Sequence, residues 1–119
     1  MEIVNIASMW GLAGASSIFP VPAYNAAKGA VVNLTRELGL EYAQQGIQVN
    51  ALCPGFYRTN LGGGGYEDAE FVRAITEFTP MGRVAEAVEI RGPALFLASS
   101  ASDYMTGQTL VVDGGCMAK

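Results

Sequence analysis

An α/β chain, part of a doubly wound parallel sheet in the order β-α-β-α-α-β, is the fold this sequence predicts. Three observations predict it. Short apolar runs rich in β-branched residues alternate with stretches of helical period, and strands separated by helices pair in parallel through crossovers. The first two such runs, in "EIVNIAS" and "IQVNALCP", are apolar on both faces, as in strands covered by helices on both sides. Gly, Ser and Pro mark the changeovers. With 119 residues, 1–119 is at most one domain unit.

The elements follow in order. Ile3–Ala7 is expected as the first strand, and "GLAGASSIFPVP" after it as a loop. Pro22 suits the first turn of a helix, where its missing N–H has no partner to lose. Ala27, Val31, Leu34 and Leu38 then recur at helical spacing, and Gly46 is the expected left-handed stop. The second strand is "IQVNALCP", closed by Pro54-Gly55. "FYRTNLGGGG" reads as a loop, flexible at Gly62–Gly65. Phe71, Ile75 and Phe78 line one side of a short helix. A third helix contains "ALFLASS"; an interior Pro costs about 3 kcal/mol, so the helix is expected to start near Glu89, leaving Pro93 in its first turn. Thr109–Val112 is the third strand.

Composition removes several kinds of function. The net charge is −4 and the seven Lys and Arg are scattered, which argues against nucleic-acid binding. No run reaches the ~18 apolar residues that span a membrane, and the opening residues do not read as a secretory leader. Cys53 and Cys116 lack metal-ligand spacing and read as free thiols in a reducing cytoplasm. The absence of His removes Ser-His-Asp hydrolysis and most zinc sites; no metal is expected. Half the residues are hydrophobic and only 15% charged, which is apolar for a free-standing unit of this size. Further covering surface is expected from additional sequence or from other subunits.

Ligands of doubly wound sheets sit beyond the carboxyl ends of the strands. Those ends carry Ser8 after the first strand and Pro54-Gly55 after the second, and the helix bearing Tyr24 and Lys28 starts on the same rim. The i, i+4 spacing puts Tyr24 and Lys28 on one helical face. Alone, such a pair is an ordinary surface contact worth a few tenths of a kcal/mol; with Ser8 and Pro54-Gly55 beside it, an active site is the better reading. A phenol titrates near pH 10, and an adjacent ammonium favours its ionised form, bringing it towards useful acid–base chemistry. Tyr24, Lys28 and Ser8 could move a proton on or off an oxygen, but no side chain carries hydride, so a cofactor must. Other readings stay beside these. Ser8 also suits a strand-end turn, and Thr59 a turn or a helix N-cap. Trp10, Phe19 and Tyr57 could line a substrate pocket, with plain packing the safer role for Phe19. Cys53 reads as a buried small side chain, and Asp113 as a turn or cap.

"IVNIAS" with Gly11 three residues after the serine, "YNAAK", "VNALCPGFYRT" and "FLASSASDYMTGQTLVVDGG" together resemble the carboxyl-terminal half of the short-chain dehydrogenases/reductases, over nearly the whole chain. The resemblance implies a Rossmann-type sheet and an oxidoreductase that interconverts a secondary alcohol and a ketone, a polyol or sugar acid being one candidate. Tyr24 would be the catalytic acid/base and Ser8 the substrate-orienting hydroxyl. Lys28 would assist ionisation of Tyr24 and hold the nicotinamide ribose. Pro54 and Gly55 would pack on the nicotinamide, and the backbone around Tyr57 and the hydroxyl of Thr59 would face its carboxamide and the nearby phosphate. Residues from Asn60 to about Pro80 would form the substrate loop. The partners implied are a small alcohol or ketone and further copies of the chain, as a dimer or tetramer built partly through the Tyr24 helix and the last strand. The family's glycine-rich dinucleotide turn, its NAD or NADP selector, its Asn-Ala-Gly strand end and its catalytic Asn precede the serine strand and are not among these residues. Hence NAD and NADP stay open. The expectation is a truncated chain lacking the N-terminal dinucleotide-binding half, inactive by itself, with the first strand at an open edge. The alternative is a non-catalytic remnant or an oligomerisation module.

Overall fold

A computed structural model describes residues 1–60 and 65–119. Of the glycine run expected to be flexible, Gly62, Gly63 and Gly64 lie outside the described residues. Strand β1 is Glu2–Ile6, helix α1 Pro22–Tyr42, strand β2 Gln48–Pro54, helix α2 Ala69–Phe78, helix α3 Arg91–Ala98 and strand β5 Thr109–Val112. Two short strands, β3 (Tyr57–Arg58) and β4 (Ala85–Glu86), stand between β2 and α3.

The main sheet has the order β1-β2-β5 and is parallel throughout, with Ile3 opposite Val49 and Leu52 opposite Leu110. The expected α/β architecture is therefore present. β2 is its centre, and Val49, Ala51, Leu52 and Cys53 are fully buried there. The one polar side chain buried in the middle of β2, Asn50, is satisfied on both sides. Its amide donates to Met105 O at 2.9 Å, and its carbonyl accepts from Gln108 N at 3.1 Å.

Several boundaries differ from expectation. β1 runs one residue earlier than Ile3–Ala7, although Ala7 N still donates to Leu52 O at 2.8 Å. It is also not buried on both faces: its residues are only partly covered and Ile6 is exposed, because β1 is an edge strand paired, among the described residues, with β2 alone. α3 starts at Arg91 and not near Glu89, preceded by a 3-10 turn over Ala87–Ile90. Pro93 still falls in the first turn of α3, where it breaks no backbone bond. β3 and β4 were not expected; two residues each is too short for any periodicity to register.

The helices start and stop for local reasons. Pro22 opens α1, and after a 3-10 turn over Ala43–Gln45 the chain leaves the helix through Gly46 at φ 72°. Asp68 caps α2, its Oδ1 accepting from Glu70 N at 2.9 Å and Phe71 N at 3.4 Å. Among the described residues, two apolar clusters stand at the heart of the core. Ala7, Val32, Ala51 and Cys53 hold α1 to the sheet. Met9, Trp10, Ala15 and Cys116 gather Phe56 and Phe78 around them. Among the described residues no helix is long and apolar enough to cross a membrane.

Candidate active site

A cleft of about 440 Å³ opens at the carboxyl ends of β1 and β2, where α1 begins. Ser8, Tyr24, Lys28, Pro54, Gly55, Tyr57 and Thr59 all line it. Residues far apart in sequence thus meet on one rim.

Ser8 follows β1 and caps a 3-10 turn over Met9–Gly11. Its Oγ accepts from Trp10 N at 3.1 Å, so the hydroxyl hydrogen is the donor the group has left. Lys28 reaches from α1 to the strand end, where its Nζ donates to Ile6 O at 3.0 Å. The same Nζ lies 5.7 Å from the centre of the Tyr24 ring. The phenol itself stands at the mouth, 40% exposed. The turn and the helix can approach this closely because residue 11 is glycine: a Cβ there would sit 2.6 Å from Lys28 O. Asn25 locks the arrangement, its side-chain amide donating to Trp10 O at 2.7 Å and Ala13 O at 2.8 Å. Sequence reasoning missed Asn25, although its place beside Tyr24 in "YNAAK" was the available signal.

The opposite wall runs from Pro54 to Thr59. Gly55 N donates to Val112 O at 3.0 Å, and a Cβ on Gly55 would meet Asp113 Cα at 2.7 Å, so this turn lies flat against the end of β5. Asp113 is a turn-former, its carboxylate accepting from Gly115 N at 2.9 Å and Met117 N at 2.7 Å. The Tyr57 hydroxyl donates to Val112 O at 3.1 Å. Burial, reinforced by the carboxylates of Glu89 and Asp113, pushes the Tyr57 phenol up, and burial does the same for Tyr66. Both therefore stay neutral phenols at ordinary pH. Burial likewise raises the Cys53 thiol, which suits a packed side chain and not a nucleophile.

The far end of the cleft is aromatic. Phe19 and Phe71 stand 5.8 Å apart, and Tyr66 lies 6.0 Å from Phe71. Phe19 therefore both packs and lines the cleft. Trp10, also on the lining, is 5% exposed and packs against Phe56 and Phe78. Tyr66, Phe71, Ala87 and Ile90 complete the wall; Phe71 stands on α2, as its helical spacing predicts, whereas Tyr66, Ala87 and Ile90 sit in 3-10 turns too short for a periodicity to register.

The donors on this lining suit the nicotinamide end of a nucleotide. Pro54 and Gly55 present no charged side chain to the cleft, and Lys28 Nζ and the Tyr24 hydroxyl lie on the same rim as hydrogen-bonding groups.

Residues 1–117 match the family described as enoyl-(acyl carrier protein) reductase. The chain is 43% identical over 118 residues to a 2-dehydro-3-deoxy-D-gluconate 5-dehydrogenase of Dickeya dadantii, covering 99% of this chain and 46% of that protein. It is 46% identical over 113 residues to the galactitol 2-dehydrogenase (L-tagatose-forming) of Cereibacter sphaeroides, covering 95% and 44%. The crystal structure of a gluconate 5-dehydrogenase from Burkholderia cenocepacia in complex with NADP and tartrate superposes with a TM-score of 0.91 at 41% identity, over 98% of this chain and 45% of that one. The chain spans about half the length of the curated relatives it matches.

Proposed function

This chain belongs to the short-chain dehydrogenase/reductase family, and from that premise we propose that its cleft serves an NAD(P)-dependent oxidoreductase interconverting a secondary alcohol and a ketone. The observation that carries the reading is the convergence of Tyr24, Lys28 and Ser8 with the Pro54-Gly55 wall on one cleft at the strand ends. Tyr24 gives a proton to the ketone oxygen, or takes one from the alcohol. Ser8 donates its hydroxyl hydrogen to the same oxygen, which its acceptance from Trp10 N leaves it able to do. Lys28, anchored on Ile6 O, places positive charge beside the phenol, where negative charge develops as the proton leaves. When bound, NAD or NADP supplies or accepts the hydride. Lys28 and Tyr24 would hold its ribose, Pro54 and Gly55 its ring, and Tyr57 and Thr59 its carboxamide and nearby phosphate. Relatives named for gluconate-type acids and for galactitol make a sugar acid or polyol the first substrates to try.

The oligomer belongs to this reading. Leu34 and Leu40 on α1, Leu95 on α3 and Val111 on β5 present apolar surface, which supports association through the Tyr24 helix and the last strand. Buried unpaired Cys53 and Cys116 suit a cytoplasm that keeps thiols reduced.

Because the chain spans 46% of its first relative's length, turnover by these 119 residues alone is not expected, and binding is the first test. Trp10, the single tryptophan, lines the cleft and reports occupancy. Titration with NADH and NADPH should quench its emission saturably, in the micromolar range (about −8 kcal/mol), and Lys28→Met should weaken that binding. Tyr24→Phe removes one of the two ribose partners, so it should weaken binding less than Lys28→Met while lowering any turnover by about 10²–10⁴-fold. A folded chain that binds neither nucleotide would leave the oligomerisation module as the better reading.

A further inference from the structure

We infer that Arg83 and Glu89 are a positioning pair for the cleft: their fork fixes the wall from Phe56 to Thr59 and the Ala87–Ile90 turn beside it, and so sets how tightly a nicotinamide nucleotide is held. This rests on the reading of the cleft proposed above.

Three donors converge on one carboxylate. Arg83 Nη1 and Nη2 donate to Glu89 Oε2 and Oε1, each at 2.7 Å, and Glu86 N donates to Glu89 Oε2 at 2.7 Å. The stretch from Arg83 to Glu89 is thereby closed into a rigid ring of side chain and backbone. Inside that ring lies β4, whose Ala85 N donates to Phe56 O at 3.0 Å and whose residues pair with β3, Tyr57 opposite Ala85 and Arg58 opposite Glu86. Two residues per strand is far below the length at which a two-stranded ladder sustains itself. The fork supplies the order that strand length does not.

What the ladder carries is the cleft. Phe56, Tyr57 and Thr59 come from the β3 side, and Ala87 and Ile90 from the turn that follows β4. Phe56 and Tyr57 line both the cleft and a smaller cavity of about 190 Å³, which Arg83, Glu89 and Asp113 also help to line. Arg83 and Glu89 line that smaller cavity and not the cleft, so they touch Tyr57's surroundings without reaching the reacting centre. Exposed ion pairs add little to global stability, so a bidentate fork here has its effect locally, in the placement of the segment it closes.

The test uses the isotopically labelled chain, with amide exchange at Ala85, Trp10 titration with NADPH and the thermal midpoint read in parallel. In Arg83→Met, exchange of the Ala85 amide should quicken about tenfold and NADPH should bind about fivefold more weakly. Exchange at Ala51 and Leu52 of β2, and the thermal midpoint, should hardly move. Arg83→Lys, which keeps the charge but not the fork, should fall between wild type and Arg83→Met. Glu89→Gln added to Arg83→Met should cost little further, since the pair is already broken and the Gln carbonyl oxygen can still accept from Glu86 N. Unchanged Ala85 exchange in Arg83→Met overturns the proposal. So does faster exchange with unaltered NADPH affinity, which would mean an effect on the ladder alone. Failure of the wild-type chain to bind either nucleotide sinks the functional reading instead, and Ala85 exchange then decides by itself whether the fork orders the wall.

Discussion

The two sides of the cleft are held in different ways. On one side, Ser8, Tyr24 and Lys28 hang from a long helix and a parallel sheet, fixed by a glycine that lets backbone touch backbone and by Asn25 bridging turn to helix. On the other, the described residues between Phe56 and Ile90 form short strands, turns and one ten-residue helix, tied down by side-chain bonds. The first side cannot shift without unmaking the fold. The second can be loosened locally, which is the arrangement expected where one scaffold chemistry is paired with variable substrates.

Gly11→Val should produce the largest effect, because its Cβ would collide with Lys28 O, a backbone atom that cannot swing away. A loss of roughly 3 kcal/mol or more is expected, read as cooperative loss of far-UV circular dichroism at low denaturant. If the chain instead tolerates valine there, the two sides do not differ as described. Ile75→Ala tests the other side. Ile75 is fully buried on α2 and truncation should cost about 2–5 kcal/mol locally. Exchange should rise through 69–90 while amides of β2 stay protected; equal loss in both places would make the cleft one cooperative unit.

Lys28→Met should cost about 1 kcal/mol in denaturation midpoint by leaving Ile6 O without its donor, a small effect on the fold beside a larger one on nucleotide binding. The smallest effect concerns pH. The Arg83 guanidinium, with Glu86 N beside it, lowers the Glu89 carboxyl from 4.5 to about 2. A depressed carboxyl contributes its full stabilisation above about pH 4.5 and loses it as pH falls towards 2. The difference in Ala85 exchange between wild type and Glu89→Gln should therefore be constant above pH 5 and shrink below 4.5. A difference that persists unchanged to pH 3 would mean the fork is not what orders β4.

The same division decides what the sequence discloses. The strands, α1 and the first-side residues could be located because each is governed by a rule with a period or a spacing: runs of apolar residues, i, i+4 on a helix, Pro at a helix start, glycine at its end. β1's exposed Ile6 escaped, since burial of an edge strand depends on its neighbours and not on its own residues. β3 and β4 escaped because a two-residue ladder has no pattern, and the start of α3 because the capping bonds of Glu86 and Glu89 hold Ala87–Ile90 in a tighter 3-10 turn. Phe71 is legible from its helical spacing with Ile75 and Phe78, whereas Tyr66 sits in a 3-10 turn over Gly65–Glu67 too short to carry a pattern. The Arg83–Glu89 fork sits six positions apart, a separation no helix or strand rule brings together.

The Trp10 cluster has a consequence in time. Its rings come from the turn after β1, the residue after the β2 turn and the end of α2, with Cys116 from the last stretch of the chain. None of these is near another in sequence, so the cluster closes only once the intervening loops have closed, the slow part of folding for parallel sheets. On refolding, α1 should acquire its circular dichroism first and Trp10 emission should reach its native value last. The cleft that Trp10 helps to line would then be the final part of this molecule to come into existence.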